Sequence, residues 1–166
     1  MGELSIGLMM CQALGGFAVG EHCLSQKDII AIFDVVGYEY RPKQYDFYDV
    51  NCLGDEQDCT LTKHNIEFVK DINGDNAPEV LITDSNVFKY GVTGTGFSLL
   101  SQNKSSYQVL IGEMAGIYQS LSTRGKNGYP DVMVGGRGFC FGVWRYDGKQ
   151  YTLNRHATFD GKVCTP

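Results

Sequence analysis

The chain has no run of basic residues. Its fourteen Lys and Arg are scattered through 166 residues against nineteen Asp and Glu, for a net charge of −5. No stretch could neutralise several phosphates in a row, which excludes nucleic acid as an expected partner. Charged residues are also few, at 20%, while aromatics reach 12%, and that balance excludes disorder. Long apolar runs are missing: the segment from Leu4 to Val19 is too short and too glycine-rich for a stable membrane span. No C-x-x-C pair occurs, so neither a zinc ribbon nor a thioredoxin-type redox site is written. Gly94-Thr95-Gly96 and Gly135-Gly136-Arg137-Gly138 do not lead into G-K-S/T, so they read as turns between strands and not as phosphate loops. No G-x-S-x-G nucleophile elbow is present. His22, His64 and His156 stand far apart, with no i, i+4 pair to hold a metal.

What is present describes a small β-rich globule. A chain of this length with 43% hydrophobic residues suits one domain with one core. Twenty-one glycines, ten tyrosines and nine phenylalanines favour strands joined by tight turns. Six cysteines sit at 11, 23, 52, 59, 140 and 164. Cys52 and Cys59 flank the short polar loop N-C-L-G-D-E-Q-D-C, the kind a disulfide closes, and Cys164 is placed to tie down the end of the chain by a bridge to Cys140 or Cys23. Bridges imply an oxidising compartment, periplasmic or secreted. Residues 1–20 carry an apolar middle and the small-residue trio Ala18-Val19-Gly20, as an export signal does, although no positive charge precedes it. On that reading residues 21–166 form the single β-rich domain.

Ser25-Gln26-Lys27-Asp28 is a capping-box pattern, and Ile29, Ile32, Phe33 and Val36 behind it mark one face of a helix ending at Gly37. After Pro42 the texture becomes that of strands. Tyr45, Phe47 and Val50 mark one, and I-E-F-V-K at 66–70 alternates as a half-buried strand should. Further strands are expected at 79–83, 96–100, 107–111, 116–121, 131–134, 139–146 and 150–154. Residues 102–106 and Asp147-Gly148 form hairpin turns. The expected fold is therefore mainly β: a meander of blade-like antiparallel sheet with one N-terminal helix packed on it. There is also an echo. P-E-V-L-I at 78–82 aligns with P-D-V-M-V at 130–134; with the prolines superposed, Asp75 falls on Asn127, and Asp71 and Asn73 fall on Thr123 and Gly125. The second copy is expected to keep the turn and lose the carboxylates.

The chemistry concentrates in D-I-N-G-D-N-A-P-E, residues 71–79. Calcium takes six to eight hard oxygens in flexible geometry. Asp71, Asn73 and Asp75 alternate so that a curled loop turns them toward one centre, the Ala77 carbonyl continues the series and Glu79 closes it. Without a cation the three carboxylates would repel one another. The spacing is not that of an EF-hand, since glycine sits at the fourth position and Ile82 occupies the twelfth. It resembles the D-x-N-G-D-x-x-x-acid loops of FG-GAP and VCBS repeats, the calcium loops of integrin-type β-propellers, which also run directly into an apolar strand. That resemblance implies a bound calcium with a bracing role and one or two blades of a propeller. The segment from Asn127 to Tyr151 also resembles small bacterial exported proteins, which implies a location and no activity.

Two aromatic series, Tyr38, Tyr40, Tyr45 and Tyr48 and then Phe139, Phe141, Trp144, Tyr146 and Tyr151, are candidates for a partner face, with one side of the second strand expected in the core; the competing and preferred account of both is an ordinary half-buried sheet. The function that follows is a non-catalytic, calcium-stabilised, exported binding module for a protein or glycan, in one version a periplasmic inhibitor or immunity protein. The competing reading is a metal-assisted hydrolase working through Asp71, Asp75, Glu79 and Asp84.

Overall fold

The computed structural model describes residues 10–166 apart from residues 12, 14 and 105, so most of the first half of the expected export signal lies outside the described residues. Within the second half, Phe17–Val19 (β1) pairs with His22–Leu24 (β2), and Cys11 is bridged to Cys23. Helix α1, Gln26–Asp34, starts where the capping box places it: the Ser25 hydroxyl accepts from the Asp28 N–H, and the Asp28 carboxylate accepts from the Ser25 N–H. It stops three residues before Gly37, which lies in the left-handed region (φ 91°) and turns the chain into Tyr38–Arg41 (β3).

β3, Asp46–Asp49 (β4) and Thr60–Leu61 (β5) form a small antiparallel sheet. Two four-stranded antiparallel meanders follow. The first runs Ile66–Lys70 (β6), Glu79–Asp84 (β7), Gly96–Asn103 (β8) and Ser106–Ala115 (β9). Between β7 and β8 lies a one-turn helix, Val87–Tyr90 (α2), so the described residues hold two short helices. The second meander runs Ile117–Arg124 (β10), Pro130–Gly135 (β11), Phe141–Tyr146 (β12) and Tyr151–Ala157 (β13). The fold is mainly β, as the strand patterns require.

The first meander is the middle layer. One of its faces contributes Val69, Val80, Ile82 and Leu100 to a core shared with Ile29, Ile32 and Phe33 of α1 and with Phe47 and Leu61 of the small sheet. Phe33 stacks on Phe47 with ring centroids 4.0 Å apart. The opposite face contributes Leu81, Phe97, Leu99 and Ile111 to a second core with Val132, Tyr146 and Tyr151. β7 is thus buried on both faces, which is why its apolar run shows no alternation. A third cluster, Met133, Phe141, Val143 and Ala157, fills the far face of the second meander, where Phe159 packs on Phe141 and the Cys140–Cys164 bridge secures the C-terminal segment. Both faces of β12 therefore enter a core, with Trp144 half-buried and Tyr146 buried, as a half-buried sheet requires; of this aromatic series only Phe139, outside the strand, is well exposed. Cys52–Cys59 completes three disulfides, and no cysteine is free. No helix among the described residues is long and apolar enough to cross a membrane.

Candidate metal centre

Residues 71–78 connect β6 to β7, and their conformation is set by side chains turned back on their own backbone. Asp71 accepts the Gly74 N–H at 2.6 Å and the Asn76 N–H at 2.9 Å. Asn73 Oδ1 accepts the Asp75 N–H at 3.1 Å, and Asp75 Oδ1 accepts the Ala77 N–H at 2.8 Å. Gly74 (φ 86°) and Asn76 (φ 67°) take the left-handed conformations that let so few residues curl this tightly. Those backbone donors, Gly74 first, hold the Asp71 carboxyl below its ordinary range.

Glu79 closes the loop from inside the protein. It is fully buried, with Oε2 accepting the Ile72 N–H and Oε1 accepting the Tyr129 hydroxyl, both at 3.0 Å. Burial pushes its carboxyl up to about 7, the two donors offset only part of that, and the charges of Asp75 and Asp71 add to it. No ion pair among the described residues includes Glu79; Lys70, opposite it on the β6–β7 ladder, is exposed and makes none with it.

The loop rests on the corresponding turn of the second meander. Arg124 donates to the Ile72 carbonyl at 2.9 Å and also to that of Gly128. Gly128 (φ 77°) lies so close that a Cβ there would sit 2.6 Å from the Asn73 carbonyl oxygen. That turn leads to Asp131, which falls on Glu79 when the two prolines are superposed. The echo lacks the carboxylates of Asp71 and Asp75, as the alignment has it, and carries Asp131 in the place of Glu79. Asp131 too is fully buried, yet Arg145 grips it through Nε at 2.9 Å and Nη2 at 2.8 Å, Arg155 reaches it at 3.1 Å, and the Thr123 hydroxyl donates at 2.6 Å. Burial alone would raise this carboxyl; the donors from Arg145, Thr123 and Arg155 bring it down to about 2.

Of the expected ligands, Asp71, Asn73, Asp75 and Ala77 lie in the 71–78 connection and Glu79 is the first residue of β7, while Asp84 does not join them. It ends β7 at the opposite edge, roughly 16 Å from Glu79 by strand rise, where it accepts from the Tyr38 hydroxyl and the Asn86 N–H. In this conformation no three His, Cys, Asp or Glu side chains among the described residues stand close enough to hold a metal. The donor chemistry does fit calcium, being three carboxylates, an amide oxygen and a carbonyl. A carboxylate oxygen that accepts one N–H keeps another lone pair, so the internal bonds orient these groups without consuming them. Nothing in the sequence ties Tyr129, Arg124 and Gly128 to the loop except the Asn-Gly-Tyr-Pro that precedes the second acid. Compared with known proteins, the chain matches no family model, no curated protein and no solved structure.

Proposed function

We propose that the chain is a non-catalytic binding module of the periplasm or cell exterior, braced by a calcium ion in the 71–79 loop. The carrying observation is the buried Glu79 carboxylate, which among the described residues lacks the cationic partners that Asp131 has at the same place in the second meander. A buried charge is costly unless it is paired, and Asp71 and Asp75 add further negative charge beside it. Calcium would supply there what Arg145 and Arg155 supply to Asp131, held by Asp71, Asn73, Asp75, Glu79 and the Ala77 carbonyl. The role is structural, because the loop joins two strands and is pressed against a second turn. Three disulfides suit an oxidising compartment. The separation of Asp84 from the loop removes one of the acids on which a hydrolase reading would draw.

Thermal melts in excess calcium and in EDTA test this. A hundredfold excess over Kd stabilises by about 2.7 kcal/mol, which shifts the midpoint by several degrees. Asp75→Ala, at an exposed position, is expected to fold and to lose that shift. Coincident curves for the unaltered chain would overturn the calcium assignment.

A further inference from the structure

Away from the acidic loop, one surface combines exposed apolar side chains with a rigid, charged floor. The Cys52–Cys59 bridge closes a loop that packs against α2, and buried Asn86 locks the two together. Its amide nitrogen donates to the Asp58 carbonyl at 2.8 Å, while its oxygen caps α2 by accepting from the Phe88 and Lys89 N–H groups at 2.8 and 3.1 Å. Despite this fixation the large side chains point outward: Leu53 is 84% exposed and Phe88 64%. Between them opens a cavity of about 370 Å³, the lower end of the size range of ligand sites.

The floor of the cavity is Lys89, whose side chain is 17% exposed and whose ammonium is held by Asp49 at 3.0 Å, by the Tyr38 hydroxyl at 3.2 Å and by Glu113. Glu113 takes a left-handed conformation (φ 46°) that is costly for a residue other than glycine, and the Ser98 hydroxyl fixes its backbone by accepting its N–H. Its side chain remains 47% exposed, so the carboxylate both pairs with Lys89 and faces the opening. One ammonium thus meets two carboxylates, which leaves the lining one negative charge in excess. The cavity is net acidic, with an apolar rim and little freedom to reorganise.

Building on the binding-module reading, we propose that this cavity docks a partner protein through an arginine or lysine flanked by an apolar side chain. The cation lies against Glu113 and Asp49, whose carboxylates keep unused lone pairs beyond those that Lys89 occupies, and the apolar neighbour covers Leu53 and Phe88. Side chains pinned before binding lose little entropy on docking, which favours this surface over a floppy one. A neutral glycan would leave the excess negative charge unanswered. A second copy of the chain, itself at −5, is a poor complement.

The test is an NMR titration of the isotope-labelled full chain with the blocked tripeptide Leu-Arg-Leu, and with Leu-Glu-Leu as control, in calcium and in EDTA. Saturable shifts are expected at residues 49–54, 86–90 and 112–114 with the arginine peptide, in the millimolar range. The glutamate peptide should bind about tenfold more weakly. Leu53→Ser and Glu113→Gln, both at exposed positions, should each weaken binding about fivefold while leaving the remaining spectrum in place. Shifts mapping elsewhere would overturn this surface and leave the binding-module reading standing. Equal responses to the two peptides, or none, would overturn the charge complementarity on which the inference rests. Because the cavity is fixed by a disulfide and a helix cap, binding that persists in EDTA supports it even where the calcium assignment fails.

Discussion

In the first meander the second strand opens with Pro78-Glu79; in the second it opens with Pro130-Asp131. Both acids are fully buried, and each follows a turn with a left-handed residue two positions before its proline, Asn76 in one and Gly128 in the other. Asp131 is neutralised within its own sheet by side chains of β10, β12 and β13. Glu79 relies on a backbone N–H of its own loop and on a tyrosine from the other meander. The same backbone solution thus carries two electrostatic solutions. The difference teaches that a buried carboxylate identifies a position, whereas its partners identify a role: where cations are built in, the acid is architecture, and where they are not, it is the acid to which we assign the proposed calcium.

Removing each charge separately is the strongest way to break the comparison. Asp131→Asn leaves Arg145 and Arg155 facing an amide, and is expected to cost about 3 kcal/mol in denaturant unfolding. Glu79→Gln in EDTA removes a charge with no ion-pair partner among the described residues and keeps an acceptor for the Ile72 N–H, so it is expected to change stability by less than about 1 kcal/mol, or to raise it. In calcium the same variant should lose the calcium-induced shift. Equal losses for the two variants in EDTA would erase the distinction.

The pH dependence separates the two acids by sign. The folded protein holds the Glu79 proton up to about 7 against an ordinary 4.5, so the stability from this group is complete below pH 4.5 and declines as pH rises through 7, by roughly 3 kcal/mol. Asp131 runs the other way. Held at about 2 against an ordinary 3.8, it contributes roughly 2 kcal/mol that is present above pH 3.8 and lost as pH falls through 2. Unfolding free energies of the unaltered chain relative to Glu79→Gln and Asp131→Asn across this range, in EDTA, should show opposite slopes. Slopes of one sign for both would sink the assignment.

The contact between the two turns is a third point of attack. Gly128→Ala places a methyl against the Asn73 carbonyl in a backbone conformation unsuited to alanine, at an expected cost of about 2 kcal/mol. If the turn supports the loop, the calcium-induced shift in the melt shrinks as well; a shift of unchanged size would mean that the two turns merely touch.

Local chemistry made much of this legible in the sequence. The capping box at Ser25 placed α1, and alternation placed β6. The acids and asparagines of residues 71–79 marked the loop, because the bonds that shape it join residues at most seven apart. What depends on layers coming together was not legible. β3 and β5 are too short to show a period, and α2 is a single turn held by the Asn86 cap. Tyr129 meets Glu79 from fifty residues away because two sheets stack face to face. Thr123 and Arg145 acquire a purpose only once β10 and β12 flank β11. Superposing the prolines puts Thr123 on Asp71 and Asp131 on Glu79, and only the burial of Asp131 among Arg145, Arg155 and Thr123 shows what that acid does.

The smallest expected effect bears on whether the two turns are one device. Asn76 holds φ at 67° where Gly128 holds 77°, so Asn76→Gly removes a modest steric cost and adds freedom to the unfolded chain. The terms oppose each other, and the net change in stability in EDTA is expected to stay within about 0.5 kcal/mol. The Asn76 side chain is exposed and is not among the five proposed ligands; only its backbone N–H, which glycine keeps, serves Asp71. The calcium-induced shift of Asn76→Gly should therefore match that of the unaltered chain. A loss of that shift would assign the asparagine amide to the metal and make the first turn a different device from the second, despite their common backbone.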